Sequence, residues 1–146
     1  MHRVSKSVLV PYSAAQMYEL VDRVEEYPKF LPWCAGAEVL ESHEGGKTAR
    51  LHIDYHGVKA HFTTNNENTP SELIVVTLKS GPFRHLHGEW RFKVLRADAC
   101  KVSFDLAYEF ASGVLDKVIG PVFTHIANTF IDAFVQRAEA VYGEPS

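Results

Sequence analysis

The stretch Val102-Ser103-Phe104-Asp105-Leu106-Ala107-Tyr108-Glu109-Phe110, continued past Ala111-Ser112 into residues 113–142, decides the architecture. In its first part Val102, Phe104, Leu106, Tyr108 and Phe110 alternate with Ser103, Asp105 and Glu109. A period of two puts apolar side chains on one face of a strand and polar ones on the other. After Ser112 the period changes. Leu115, Val118, Ile119, Val122, Phe123, Ile126, Phe130, Phe134, Ala138 and Val141 fall on one stripe of a helix that runs to Tyr142. Gly143 follows as its C-cap, with Pro145 beyond. Gly120-Pro121 interrupts the stripe. Proline removes a helix hydrogen bond, so the sequence predicts either a kink there or the true start of the long helix.

Working back toward the N-terminus, period two persists from Ala37 to Phe110. Leu86, Gly88, Trp90, Phe92 and Val94 alternate with His87, Glu89, Arg91 and Lys93. Val58, Ala60, Phe62 and Thr64 alternate with Lys59, His61 and Thr63, and Ala49, Leu51, Ile53 and Tyr55 with Arg50, His52 and Asp54. Gly45-Gly46, His56-Gly57, Thr69-Pro70-Ser71 and Arg96-Ala97-Asp98 read as the turns between strands. Leu73–Leu78 is continuously apolar, so which side it buries stays open. A further strand, Val4 to Val10, opens the chain and is closed by Pro11. Ser13-Ala14-Ala15-Gln16 is a capping box, with Tyr12 and Met17 as its hydrophobic staple, and it starts an amphipathic helix over residues 14–24. In Tyr27-Pro28-Lys29-Phe30-Leu31-Pro32-Trp33, Pro28 opens one short helical turn and Pro32 ends it.

The 146 residues suit one domain, 1–146, and 46% hydrophobic content is ordinary for a globular chain. A formal charge of −3 gives no drive toward DNA or an anionic surface. Two cysteines, Cys34 and Cys100, without CxxC spacing, suggest reduced thiols rather than a disulfide framework. The first residues lack the apolar core of a signal peptide, and no run of 18 apolar residues occurs. A cytoplasmic protein is the expectation.

An antiparallel sheet with one wet face needs a cover, and the C-terminal helix is the one long element available. The chain is therefore expected to be α+β: a curved sheet of six to seven strands gripping a long C-terminal helix, with two short helices after the first strand. Between sheet and helix there is either plain core or an apolar cavity. The inward phase would supply its lining: Leu51, Ile53, Tyr55, Phe62, Leu86, Trp90, Phe92, Phe104 and Tyr108 from strands, and Val122, Phe123, Ile126, Phe130 and Phe134 from the helix. Phe30 and Trp33 join this lining at one end, where with Tyr27 they form a lid or a fixed plug. Arg84 shares the phase of Leu86 and Trp90 and sits either at the cavity mouth, toward a polar head, or on a solvated rim.

Catalysis by paired acid and base would need both inside this space, yet Asp54, Glu89, Asp105 and Glu109 fall on the polar face. No GxSxG, HExxH or glycine-rich phosphate loop occurs. A hairpin turning tightly after Tyr55 sets His52 opposite His61 and Asp54 opposite Lys59 on the wet side. These read as solvated strand histidines without a full metal ligand set. The expectation is a binding protein, not an enzyme, with neither metal nor cofactor.

Three motifs carry a family resemblance. Val10-Pro11-Tyr12-Ser13-Ala14 through Tyr27-Pro28-Lys29-Phe30-Leu31-Pro32-Trp33-Cys34, then Gly81-Pro82-Phe83-Arg84-His85-Leu86-His87-Gly88-Glu89-Trp90-Arg91-Phe92, and last Val122-Phe123 through Phe134 with Arg137-Ala138 and Val141-Tyr142-Gly143, resemble the coenzyme Q-binding START-like family in the same order. The resemblance implies a helix-grip fold and favours a cavity over plain core. It implies a bound ubiquinone or other isoprenoid lipid, delivered in support of respiration, with transient contact to the inner membrane or a respiratory enzyme. A second role in that family is a ribosome association toxin that binds the large ribosomal subunit and blocks subunit joining. The wider superfamily carries the label polyketide cyclase/dehydrase, which makes an enzyme the third alternative.

Overall fold

The computed structural model describes residues 1–143; Pro145 lies outside them. β1 (His2–Val10) is followed by α1 (Ala14–Asp22) and a 3-10 helix (Val24–Lys29). Six strands come next: β2 (Cys34–His43), β3 (Gly46–Tyr55), β4 (Val58–Thr69), β5 (Leu73–Ser80), β6 (Phe83–Arg96) and β7 (Ala99–Phe110). α2 (Gly113–Tyr142) ends the described chain. The strands form one antiparallel sheet in the order β1-β7-β6-β5-β4-β3-β2. β1 and β2 are therefore the two edges, and α1 with the 3-10 helix carries the chain from one edge to the other.

The capping box forms as the sequence implies. Gln16 N–H donates to the Ser13 hydroxyl, and Ser13 N–H donates to the Gln16 side chain at 2.9 Å. α1 stops at Asp22, two residues short of the predicted end. Arg23 leaves the helical region, with φ −80° and ψ 71°. The last carbonyls of a helix need outside partners, and Val21 finds one in the buried Tyr27 hydroxyl, which donates to it at 2.5 Å. The chain then winds as a 3-10 helix that already includes Val24. Pro28 lies inside this segment and does not open it.

Strand pairing follows the predicted turns. His52 stands opposite His61 and Asp54 opposite Lys59. β5, whose facing the sequence leaves open, buries Ile74. α2 runs without a break through Gly120 and Pro121. The helix therefore begins at Gly113, not at the proline. Its Ser112 cap accepts from the Leu115 N–H at 3.2 Å. α2 is long and apolar enough by composition to cross a membrane, but one side of it is gripped by the sheet, and Ile119, Phe123, Ile126, Phe134 and Ala138 are buried there. The predicted stripe is misplaced at its edges. Val118 is 58% exposed and Val141 43%, while Ala127 and Ile131 are buried instead.

Candidate functional site

The core between sheet and helix is dominated by aromatic rings. Trp90 lies 4.5 Å from Phe104, 5.5 Å from Phe130 and 5.2 Å from Phe134 between ring centroids. Phe130 also meets Trp33 at 5.9 Å and Tyr27 at 6.2 Å. At the other end Phe83, Phe110 and Phe123 form a second cluster.

Within this packing lies a cavity of about 80 Å³. Nine of the residues expected to line it do so: Trp33, Leu51, Phe62, Leu86, Trp90, Phe104, Phe123, Ile126 and Phe130. Val24, Tyr27, Ala49, Thr64, Asn66, Val76, Gly88, Leu106 and Ala127 complete the wall. Four of these additions could be read from the strand phase, since Ala49, Thr64, Gly88 and Leu106 stand at alternating positions already identified, whereas Val76 lies in the apolar run whose facing the sequence leaves open. Asn66 could not, because nothing in an Asn-Asn-Glu-Asn run marks the inward residue. Gly88 contributes by omission. A Cβ there would stand 3.2 Å from the Leu106 Cδ1 and 3.7 Å from the Phe104 ring, so a side chain would enter the space. Glycine inside a strand often marks such a close approach.

The remaining expected residues lie elsewhere. Ile53, Phe92, Tyr108 and Phe134 are buried but do not reach the cavity. Phe92 packs against Tyr18 at 5.7 Å, and Tyr108 shares a 3.0 Å hydrogen bond with Thr124 of α2. Val122 and Tyr55 line a surface groove with His56, Pro121 and His125, and Phe30 lines another. Arg84 is a correction. A β-bulge between Phe83 and His85 inserts one residue, so Phe83 takes the inward place and Arg84 turns out. Its side chain is 59% exposed, donates to the Ala111 carbonyl at 3.3 Å and stands 3.6 Å from Glu109. Arg84 is a rim arginine. Tyr27 and Trp33 are each 5% exposed and wedged against α2, so this segment is a packed plug.

The polar content of the cavity wall is small. Thr64 donates to the Asn66 side-chain oxygen at 2.9 Å, and the Tyr27 hydroxyl is bonded to Val21. Burial pushes the Tyr27 phenol well above its ordinary range. The wall holds no carboxylate, imidazole or thiol. Cys34 and Cys100 are buried and unlinked, and burial raises both thiols to about 11. On the wet face the His52 and His61 rings lie 5.8 Å apart, with His52 2.6 Å from Glu38. Among the described residues no three histidine, cysteine or acidic side chains converge as a metal site.

A seven-stranded antiparallel sheet curved around one long helix, with an apolar space between them, is the helix-grip fold of the START type. Residues 10–135 match the family described as polyketide cyclase / dehydrase and lipid transport, and the chain belongs to that family. It is 42% identical over 140 residues to the ribosome association toxin RatA of Pseudomonas aeruginosa, covering 96% of this chain and 97% of that one. It is 28% identical over 143 residues to the mitochondrial coenzyme Q-binding protein COQ10 homolog B of Xenopus laevis, covering 95% of this chain and 59% of the relative. A START superfamily protein from Mycobacterium smegmatis superposes with a TM-score of 0.77 at 26% identity, over 97% of this chain and 99% of that one.

Proposed function

We propose that this protein binds an uncharged apolar lipid of the isoprenoid type, ubiquinone foremost, between α2 and the sheet, and carries it unchanged. The observation that carries this reading is the wall of the cavity. Leu51, Phe62, Trp90, Phe104, Phe123 and Phe130 offer apolar burial, at roughly 25 cal/mol per Å² removed from water. The same wall offers no acid–base pair or nucleophile, which favours a carrier over the cyclase alternative. The similarity to a coenzyme Q-binding protein supports the ligand class. The present cavity of about 80 Å³ is smaller than an isoprenoid chain, so loading requires wall side chains to move. The protein would work in the bacterial cytoplasm, with transient contact to the inner membrane or a respiratory enzyme.

A second reading has its own support. The relative at 42% identity over nearly the whole chain is named for ribosome association, and this chain would then bind the large ribosomal subunit.

Organic extraction of the purified protein, followed by mass spectrometry, tests the first reading. A co-purifying isoprenoid, and quenching of Trp33 and Trp90 by a short-chain quinone, are expected. Absence of both results would refute it. Sucrose-gradient ribosome profiles with added protein test the second: co-migration with the large subunit and loss of joined ribosomes are the expected outcome.

A further inference from the structure

Outside the plug lies a larger groove of about 430 Å³. That volume falls within the roughly 300–1,000 Å³ typical of small-molecule sites. One wall is a polar stripe on α2. His125, Thr129, Asp132 and Gln136 stand three or four residues apart and so share a helix face. The facing wall is apolar, made by Phe30, Leu31, Pro32 and Trp33, with Tyr55 at one end. Trp33 lines both this groove and the inner cavity, and is the residue they share.

Not every polar group in the stripe is free. The Thr129 hydroxyl donates to the His125 carbonyl at 2.8 Å, and the His125 ring stacks on Tyr55 at 6.0 Å. Asp132 and Gln136 make no side-chain hydrogen bond or ion pair among the described residues. Arg137, next along the helix, lies 5.1 Å over the Phe30 ring and does not line the groove. The groove thus presents an apolar wall, one free amide and one carboxylate without a counter-charge.

We infer that this groove is the head-group subsite of the ligand site: Asp132 and Gln136 take an uncharged head bearing hydroxyl or carbonyl groups and turn away anionic lipids, while the apolar chain passes Trp33 into the inner cavity. The inference rests on the lipid-binding reading and narrows it to a charge class. A hydroxyl donates to Asp132 and a carbonyl accepts from Gln136. A fatty-acid carboxylate or a phosphate would be set against the Asp132 charge.

Farnesol and farnesoic acid share one chain and differ only in the head. Each is titrated against the tryptophan fluorescence of the whole protein, at a pH where the acid is ionised. Farnesol should bind at least about fivefold tighter, the factor expected for one unit-charge contact at 4 Å under water-like screening. Because the neutral probe is also the more apolar, the deciding measurement is the ratio in Asp132→Asn. That variant should bind farnesoate more tightly by a similar factor and farnesol somewhat more weakly, because a neutral amide oxygen is a poorer acceptor for its hydroxyl than the carboxylate. Farnesoate binding as well as farnesol in the wild type, or an unchanged ratio in the variant, overturns the head-group assignment and leaves the lipid reading standing. If neither probe binds, the lipid reading falls and the assignment falls with it.

Discussion

Phe134 of α2 and Trp90 of β6 meet edge to face, 5.2 Å apart, and through this contact the helix is fixed to the middle of the sheet. Phe134 is fully buried and also touches Tyr27, Phe30 and Phe130. Phe134→Ala leaves a void that four aromatic neighbours cannot close, and should cost about 3–5 kcal/mol. Urea unfolding followed by circular dichroism reads this as a lowered midpoint at unchanged slope.

Tyr108 is a milder tie. Its hydroxyl meets Thr124 at 3.0 Å across the sheet–helix interface, while its ring is buried. Tyr108→Phe keeps the ring and loses the bond, so the expected loss is about 1 kcal/mol. Tyr108→Phe combined with Thr124→Val should cost less than the sum of the two single changes. The two unfolding midpoints and that of the double variant measure the coupling.

Gly88 keeps the inner cavity open. Gly88→Val places methyl groups toward Leu106 and Phe104, where a bare Cβ already comes within 3.2 Å of Leu106. Affinity for a short-chain quinone should fall about tenfold, the scale of a modest overpacking penalty. Unchanged quenching of Trp33 and Trp90 in this variant would place the ligand elsewhere.

The bulge at Arg84 predicts silence. Among the described residues its exposed side chain makes one hydrogen bond, to Ala111, and one ion pair, with Glu109. Arg84→Ala should leave quinone affinity unchanged and stability within about 0.5 kcal/mol.

The buried thiols predict a loss of stability in alkali. Cys34 and Cys100 have ordinary values of 9.0 when exposed and about 11 in the fold, chiefly through burial. The unfolded chain therefore releases these protons first. Their contribution is intact below pH 9 and disappears as pH rises toward 11. Tyr27, shifted upward by burial as well, adds to the loss above pH 10. Urea midpoints across this range should fall, and Cys34→Ala with Cys100→Ala should flatten the portion beginning at pH 9.

Alternation made most of the sheet readable, because a buried face imposes apolar residues at every second place. It failed where the backbone departs from that count. Nothing in Gly81-Pro82-Phe83-Arg84-His85 marks the extra residue that turns Arg84 outward, since both phases contain plausible inward residues. The helix stripe gave the buried face to within one position, but Val118 and Ile131 show its limit: a helix apolar on most sides does not declare which edge meets the sheet. Pro121 looked like a boundary because its missing N–H is local information, whereas the packing that holds α2 together across it is not. The outer groove was the least legible, for it joins Phe30–Trp33 to residues of α2 a hundred positions away.

The placement of β1 and β2 at opposite edges has a consequence for how the chain is made. β1 is made before the other six strands of this sheet, yet among the described residues its ladder partner is β7, with His2 registered on Tyr108. Until β7 begins to emerge at Cys100, which pairs with Val10, the backbone donors and acceptors of β1 have no native strand to meet. Pairings of such long sequence separation form late and leave edges open to other chains meanwhile. Of these seven strands the one made first is the last one seated, and the window before it seats is when a nascent chain of this fold is most exposed to misassembly.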